Sequence, residues 1–405
     1  MTDTFHLPAT DLPFGESLPV SLVELDTTAG SVLHLLYSYL NRVELGGLFA
    51  LLNLYIIAIA LTFLPLLVGA LLSPFSLTVA TPPLKLPFFY DWNVLFMFLV
   101  SFPCLVILSV TDQQVLTSSL KSIQFDRTIT ISEAEATLLA IRWHRYFRTI
   151  NLTGQALGIV VGGVIAYINY LVYTPTSVGF WIAHDEHLVP VGFVYLYCIF
   201  LFWTLIPVYV FRNIAFSLLL RDIVAHAQLH MLPLHPDKSG GLRPVGHLGL
   251  RNQYLLTLLG FNVVLLVMIS RHYLNVPDTL YSLMVAAVIG YLILGPLVFM
   301  APLLPFRGGM LRNKNQLMGE VAQRLRMELD RLLAQLQSGP ISKEDEELIE
   351  RLRKIGAVID ELPVWPFDAG TLRKFLTAYI IPIISSVGYP AIKAILNFAK
   401  VQLHF

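Results

Sequence analysis

The sequence predicts an all-α membrane protein, a polytopic bundle of six and possibly seven spans with a cytoplasmic helical hairpin. Three observations predict this class. Hydrophobic residues make up 56% of the 405-residue chain, charged residues make up only 13%, and several long runs contain no charge at all. A soluble protein carries about 25% charged residues, so lipid must solvate much of this surface. This composition excludes a soluble enzyme, a nucleic-acid-binding protein and a disordered scaffold.

The membrane spans are predicted from the lengths of the apolar runs. A helix needs about 20 apolar residues to cross a hydrocarbon core of roughly 30 Å. Six runs approach or exceed this length, and each is apolar on every face of the helix that it would form. The expected spans are Leu48–Leu72, Trp92–Val110, Leu152–Val172, Leu188–Phe211, Tyr254–Ile269 and Leu280–Leu304.

The orientation of the bundle is predicted from the distribution of Lys and Arg between the spans. The connections 112–150 and 212–253 carry five basic residues each, and 305–374 carries more. The alternate connections carry at most one each, Lys85 or Arg271. Basic connections stay on the cytoplasmic side. The N-terminus and the large C-terminal region should therefore face the cytoplasm, as in a bacterial cytoplasmic (inner) membrane.

These assignments divide the chain into four parts. Residues 1–44 form a cytoplasmic segment with an amphipathic helix, and 45–304 form the six-span bundle. Residues 305–368 form a helical hairpin, because leucines and valines recur there at three- and four-residue spacing and Gly339-Pro340 interrupts the pattern. The apolar stripe of the hairpin could pack on itself or join subunits of a homo-oligomer.

The last part, 369–405, is apolar but broken. The stretch Phe375–Phe398 contains prolines, a glycine and Lys393. Such a helix is tolerated at membrane depth where protein or water satisfies the backbone groups that proline frees. It is either an amphipathic surface helix or a re-entrant or seventh span that lines a pore. The pore-lining candidates are Thr377, Pro382, Ser385, Ser386 and Gly388.

Small and polar residues inside the spans indicate how the helices pack. Gly154, Gly158 and Gly162 lie four residues apart on one face of the third span, which favours close helix packing. The middles of the six spans contain no ionisable residue. Coupled pumps place such residues at membrane depth, so a passive pore or a protein without transport activity is favoured. The polar residues that remain, chiefly asparagines, are expected to join helices by hydrogen bonds.

A cluster of histidine and aspartate in the connection after the fourth span is the most chemically suggestive stretch. His226, His230, His235 and Asp237 are residue types that bind a divalent metal such as zinc. Their spacing matches no defined metal motif. The alternative is a loop in which these side chains cap helix ends and two glycines make a tight turn.

Three functions are compatible with these features. The first is a homo-oligomeric channel whose pore is lined in part by the broken C-terminal helix. The second is a metal-binding membrane enzyme or sensor that uses the His/Asp cluster. The third is a membrane receptor or assembly factor without transport activity. The lipid bilayer is the expected partner in every case, and no nucleic-acid partner is expected.

Overall fold

The computed structural model describes residues 22, 25–28, 31, 47–73, 77–78, 84–173, 179–184, 187–232, 235–273, 278–335 and 343–382. Most of these residues are helical. Five helices are long and apolar enough to cross a membrane, as expected for an integral membrane protein. Their bounds are Leu48–Leu71, Trp92–Phe125, Glu133–Tyr173, Pro190–His226 and Arg243–Ile269.

The helices are numbered along the chain. The first span consists of α1 and α2, which are separated only by Thr62. The remaining spans are followed by a helical hairpin and a final helix. The bounds are α1 Gly47–Leu61, α2 Phe63–Leu71, α3 Trp92–Phe125, α4 Glu133–Tyr173, α5 Pro190–His226, α6 Arg243–Tyr273, α7 Asp278–Met300, α8 Leu304–Gln335, α9 Lys343–Asp360 and α10 369–382.

In two of the helices that contain proline, a tyrosine from another helix donates to the carbonyl that the proline frees. Pro103 in α3 cannot donate to the Leu99 carbonyl, and a π-helical turn, Met97–Ser101, precedes it. The Tyr55 hydroxyl of α1 donates to that carbonyl at 2.6 Å. In α7, Pro296 similarly frees the Leu292 carbonyl. The Tyr379 hydroxyl of α10 donates to it at 2.6 Å.

The sixth expected span, Leu280–Leu304, corresponds in position to α7. A bend of 46° separates its described part, Val288–Met300, from the start of the hairpin. The two together pass the length and hydropathy requirements for a span, so the chain has five such helices or six if the bent pair is counted.

The expected hairpin corresponds to α8 and α9, which contact each other. Its first arm begins at Leu304, one residue before the expected start of the hairpin. Leu352 and Ile359 are buried. The Lys314 Nζ lies 3.2 Å from the Asp360 carboxylate across the pair. The expected interruption at Gly339-Pro340 lies outside the described residues.

Two small sheets, not expected from the sequence, stand at opposite ends of the bundle. The first has the order β1-β3-β4-β5, with β1 and β3 parallel and the other pairs antiparallel. The second is an antiparallel pair, β2 with β6. The strands are β1 Leu84–Leu86, β2 Ile129–Thr130, β3 Gly179–Phe180, β4 Ala183–His184, β5 His187–Leu188 and β6 Gln228–Leu229.

The bundle has two hydrophobic cores, one above the other. Outer and inner are names only, after the predicted orientation. The outer core contains the first sheet and the parts of α1 to α6 nearest to it, with Trp181 and Phe88 fully enclosed. The inner core contains the inner parts of α3 to α6 and the start of α8. Buried polar side chains lie where the two cores meet.

Candidate functional site

A buried ion pair joins α3 to α6 between the two cores. The Arg251 Nε donates to the Asp112 Oδ1 at 2.8 Å, and the Arg251 Nη2 donates to the Leu108 carbonyl at 2.6 Å. The Asp112 side chain is 1% exposed and that of Arg251 is 16% exposed. The second Asp112 oxygen has no hydrogen-bond partner among the described residues.

A second guanidinium, Arg212 of α5, lies in the same region and is fully enclosed. Its Nη1 donates to the Ser109 carbonyl at 2.6 Å. Its Nε and Nη2, like the Ser109 hydroxyl, have no hydrogen-bond partner in the part of the chain that the structure describes. Both Asp112 and Asp26 attract the Arg212 charge electrostatically. Burying a polar group without a partner costs about 1–3 kcal/mol, and more for a charged group, so this arrangement destabilises the folded state.

Asp112, Arg212 and Arg251, named here the ionic cluster, form a net positive group with one carboxylate and two guanidinium groups. A cavity of about 10 Å³ adjoins it, lined by Asp112, Asn213, Phe216, Ser217, Leu220, Leu248, Arg251, Asn252 and Pro302. This volume is about what one water molecule requires. The structure therefore has a closed site, without room for a larger solute.

Residues 25–28 of the N-terminal segment cover the neighbouring surface. The Thr27 amide donates to the Gln113 Oε1 at 2.8 Å, and the Gln113 Nε2 donates to the Leu25 carbonyl at 2.7 Å. The Asn151 Nδ2 donates to the Thr27 carbonyl at 2.9 Å. Thr27 and Thr28 are buried. Buried amide side chains of α3 and α4 thus hold the backbone of this segment in place.

The ionic cluster lies about one hydrocarbon thickness from the outer ends of its helices. Asp112 is 20 residues from the start of α3 and Arg212 is 22 residues from the start of α5. At 1.5 Å per residue these separations are about 30 Å and 33 Å. The cluster is therefore at the inner ends of the expected spans, and the middles of those spans stay free of charge, as expected.

Sequence reasoning missed this cluster, because it assigned the three residues to solvated connections. The available signal was the continuity of the helices. A charged residue just past an apolar run in a continuous helix can still face the bundle interior.

The asparagines within the spans join helices, in agreement with their expected role. The Tyr195 hydroxyl of α5 donates to the Asn169 Oδ1 of α4 at 3.2 Å. The Asn262 Nδ2 of α6 donates to the Ser101 hydroxyl in α3 at 2.7 Å.

The expected glycine face packs directly on α5. A methyl group at Gly158 would lie 2.3 Å from the Thr204 carbonyl oxygen, and one at Gly162 would lie 2.7 Å from the Phe200 carbonyl oxygen. At Gly154 the nearest atom of α5 would be the Val208 Cα at 3.3 Å. Glycine is therefore required at Gly158 and Gly162, where a side chain would overlap the backbone of α5.

The expected metal ligands do not converge. His226 contacts the carbonyl of Asp222, and the His230 Nε2 lies 3.2 Å from the Thr130 hydroxyl. His235 and Asp237 do lie together, with Nδ1 and Oδ1 separated by 2.7 Å. Among the described residues no group of three or more His, Cys, Asp and Glu side chains could hold a metal ion.

Asp237 instead organises the turn before α6. Its carboxylate accepts the amides of Ser239, Gly241 and Arg243 at 2.8, 3.1 and 3.2 Å. Burial acts to raise the pKa of Asp237, but these backbone donors outweigh it and hold the pKa below its usual range. Gly241 has a φ of +89°, which favours glycine. The geometry therefore matches the alternative of a capping loop.

Only the first part of the C-terminal segment is described, and it packs on α6 and α7. The Thr257 hydroxyl donates to the Ala378 carbonyl at 2.9 Å, and Phe375 stacks on Phe299 with ring centroids 4.1 Å apart. The Thr377 hydroxyl donates to the Arg373 carbonyl in its own helix, and Pro382 is buried. The candidates Ser385, Ser386 and Gly388 lie outside the described residues.

The free face of α10 is apolar. Leu372, Leu376, Ile380 and Ile381 are each about 40% exposed. This face resembles a lipid-facing or subunit-facing surface more than the wall of an aqueous pore. The ionic cluster is therefore the stronger candidate for a functional site.

Comparison of the chain with protein-family models, with curated proteins and with solved structures finds no match.

Proposed function

We propose that the protein is an integral membrane channel for small anions and that its path crosses the ionic cluster. The observation that carries this proposal is Arg212, a fully enclosed guanidinium with two donors that lack partners among the described residues. Ionisable groups enclosed in a membrane bundle mark ion and substrate pathways. Because guanidinium groups outnumber carboxylates in the cluster, it favours anions over cations.

The path would run between α3, α5 and α6, the helices that supply the cluster. In this proposal the structure represents the closed state, because the adjoining cavity is about 10 Å³. Residues 25–28 help to keep it closed from the inner side, where Asp26 offsets part of the Arg212 charge. Opening would involve a shift of α5 relative to α3, which the Arg212 side chain joins through its hydrogen bond to the Ser109 carbonyl.

The proposed topology has six spans with both the N-terminus and the α8–α9 hairpin on the cytoplasmic side. The distribution of basic connections supports it. The described start of α10 supports an additional membrane-inserted segment, because Tyr379 bonds to Leu292 in α7. A cytoplasmic (inner) membrane is the proposed location.

Purified protein reconstituted in planar bilayers provides the test. We expect a conductance whose reversal potential under a KCl gradient indicates chloride over potassium. The substitution Arg212→Gln should lower the anion-to-cation permeability ratio. Arg221→Gln is the matched control, because that side chain is also on α5 but is 65% exposed. Size-exclusion profiles and thermal unfolding establish that each variant is folded.

A second variant tests the closed state. Deletion of residues 1–31 removes the segment that covers the cluster, so the open probability should increase. Full-length and truncated protein that both lack conductance would overturn the channel proposal. A conductance that prefers cations, or one whose selectivity is unchanged in Arg212→Gln, would overturn the assignment of the path.

We also propose that subunits associate through the α8–α9 hairpin. Met327 and Leu333 on α8 and Ile355 on α9 are 56%, 61% and 49% exposed, although water is the solvent at this proposed location. A double substitution, Leu333→Glu with Ile355→Glu, should reduce the mass measured by light scattering in detergent. An unchanged mass, or a monomeric parent protein, would contradict this assembly.

A further inference from the structure

The face of α4 opposite α5 is continuous from one end of the helix to the other, and it changes character along its length. Near the outer end it carries Tyr167 and Tyr170, whose rings stack with centroids 6.4 Å apart. In the middle it carries exposed aliphatic residues such as Ile159 and Leu152. Such a face is typical of a helix that borders lipid, with aromatic residues at the interface.

Three arginines follow on the same face toward the inner end. Arg142, Arg145 and Arg148 recur every three residues, so they lie within about 120° of one another around the helix. All three are exposed, and none has an ion-pair partner within the described ranges. These residues are named here the arginine strip.

The position of the arginine strip along α4 matches the thickness of a bilayer. Tyr170 and Arg148 are 22 residues apart, which is about 33 Å along the axis. The hydrocarbon core is roughly 30 Å thick. When the tyrosines are placed at one interface, Arg148 and Arg145 reach the phosphate level of the other leaflet, and Arg142 lies just beyond it.

Buried contacts on the opposite face of α4 fix the rotation of the helix at the arginine strip. Trp143 and Phe147, on the opposite face, are buried in the inner core. The Trp143 Nε1 donates to the Asp222 carboxylate of α5 at 3.2 Å. The arginines are therefore held toward the membrane by a helix that cannot rotate without breaking these contacts.

We propose that the arginine strip is a binding site for the headgroups of anionic phospholipids in the inner leaflet. A guanidinium group donates two parallel hydrogen bonds to a phosphate, and three at this spacing can engage adjacent headgroups. Ile141 is 59% exposed and Tyr146 is 49% exposed beside the arginines. They provide the apolar and aromatic contacts found in helices at the headgroup boundary. The site is on the outside of the bundle and does not depend on the proposed channel.

Lipid titration of the full-length protein in a neutral maltoside detergent tests the proposal. Dioctanoyl phosphatidylglycerol should bind with measurable affinity, whereas dioctanoyl phosphatidylcholine should bind much more weakly. Because each basic residue at an anionic surface contributes about 1 kcal/mol, the triple substitution R142Q/R145Q/R148Q should weaken phosphatidylglycerol binding roughly 100-fold. Inorganic phosphate at the same concentration should not compete, which distinguishes a lipid headgroup from a free anion.

The triple substitution R324Q/R326Q/R353Q is the matched control. It removes the same charge from exposed arginines of the hairpin that have no ion-pair partner among the described residues. This control should retain the parent affinity, and unfolding temperatures should show that both variants are folded. Equal losses in the two variants, or unchanged affinity in R142Q/R145Q/R148Q, would overturn the proposal. A smaller oligomer without a change in lipid affinity would also overturn it, by assigning the strip to a protein contact.

Discussion

At the residue scale, the Asp112–Arg251 ion pair matters for the stability of the fold, because removing either partner would leave the other charge buried without it. Replacing a buried ion pair with neutral groups is often tolerated, but removing one partner typically costs 3–5 kcal/mol. The side chain of Asp112 is 1% exposed, so the loss of Arg251 would leave a buried carboxylate without its ion-pair partner. Arg212 also attracts the Asp112 charge, but Arg251 is the described side chain that donates a hydrogen bond to it.

We therefore expect Arg251→Ala to destabilise the protein by about 3–5 kcal/mol, measured by thermal or denaturant unfolding in detergent. The double variant Asp112→Asn with Arg251→Gln should recover part of this loss, because no buried carboxylate is left without its Arg251 partner. The recovery should be only partial, because Arg212 then loses the attraction of Asp112. Arg221→Ala is the surface control and should change stability by less than about 1 kcal/mol. A single variant no less stable than the double variant would contradict the buried-charge argument.

A second buried carboxyl, Asp91, should give the protein a pH-dependent stability. Its oxygens accept the Trp181 Nε1 and the Val94 amide, each at 3.1 Å. Burial raises the pKa of Asp91 to about 6, against the lowering effect of these donors. The folded state thus binds a proton more tightly than the unfolded state, where the pKa is about 4.

Because the folded-state pKa is the higher one, the protonated carboxyl stabilises the protein below about pH 4, and this contribution is lost as the pH rises to about 6. The difference is roughly 3 kcal/mol. Parent protein should therefore unfold at a lower temperature at pH 7 than at pH 5, whereas Asp91→Asn should flatten this part of the profile. Parallel profiles for the two proteins would show that Asp91 does not titrate in this range.

At the element scale, the α4–α5 contact depends on the absence of side chains. The close approach of α5 leaves no space for a methyl group at Gly158, whereas nothing lies within 4 Å of one at Gly163. The two glycines are on the same helix, five residues apart, so their intrinsic helix propensities are the same.

We expect Gly158→Ala to lower the unfolding temperature, since α4 and α5 must move apart at Thr204. Gly163→Ala should be neutral or stabilising by up to about 1 kcal/mol, because alanine favours the helix. The comparison isolates packing from propensity. Similar changes at both positions would mean that the close contact with α5 is not made.

The attachment of α10 to α7 should depend on one hydroxyl group. Tyr379→Phe keeps the ring, which lies 5.7 Å from that of Tyr291, but removes the donor to the Leu292 carbonyl. The substitution should destabilise the protein by about 1 kcal/mol, the typical net contribution of one hydrogen bond, since the Leu292 carbonyl beside Pro296 loses its donor. Protease susceptibility of the C-terminal segment should increase in parallel. Tyr197→Phe is the control, because that tyrosine is 49% exposed.

At the scale of the whole molecule, the sequence predicts what depends on local composition. Apolar runs determine the expected spans because the bilayer imposes a minimum length on each, and the structure has helices that are long and apolar enough for an integral membrane protein. The ionic cluster could not be located in this way. Its contact joins Asp112 to Arg251 over 139 residues, and the Asn151 side chain reaches Thr27 over 124 residues. The hydrophobic periodicity of a single segment carries no information about such distant contacts. The strands, of two or three residues each, are too short to show an alternation of polar and apolar residues.

The number of crossings after β1 can be tested by parity. Tyr90 precedes α3 and Glu346 lies on α9. If α3, α4, α5, α6 and α7 all cross the membrane, five crossings place these two residues on opposite sides. If α7 does not cross, four crossings place them on the same side. Because a bend of 46° follows Met300, α7 is the helix whose crossing this test decides.

We expect a membrane-impermeant maleimide to label Tyr90→Cys in intact cells and Glu346→Cys only after permeabilisation. The background replaces Cys104 and Cys198, neither of which forms a disulfide within the described chain. The direction follows from the basic connections, which are retained inside. Labelling of both positions from the same side would remove α7 from the spans. Labelling with the two sides exchanged would keep six spans but reverse the orientation. The arginine strip would then lie in the outer leaflet, which would contradict the proposal that it binds anionic phospholipids of the inner leaflet.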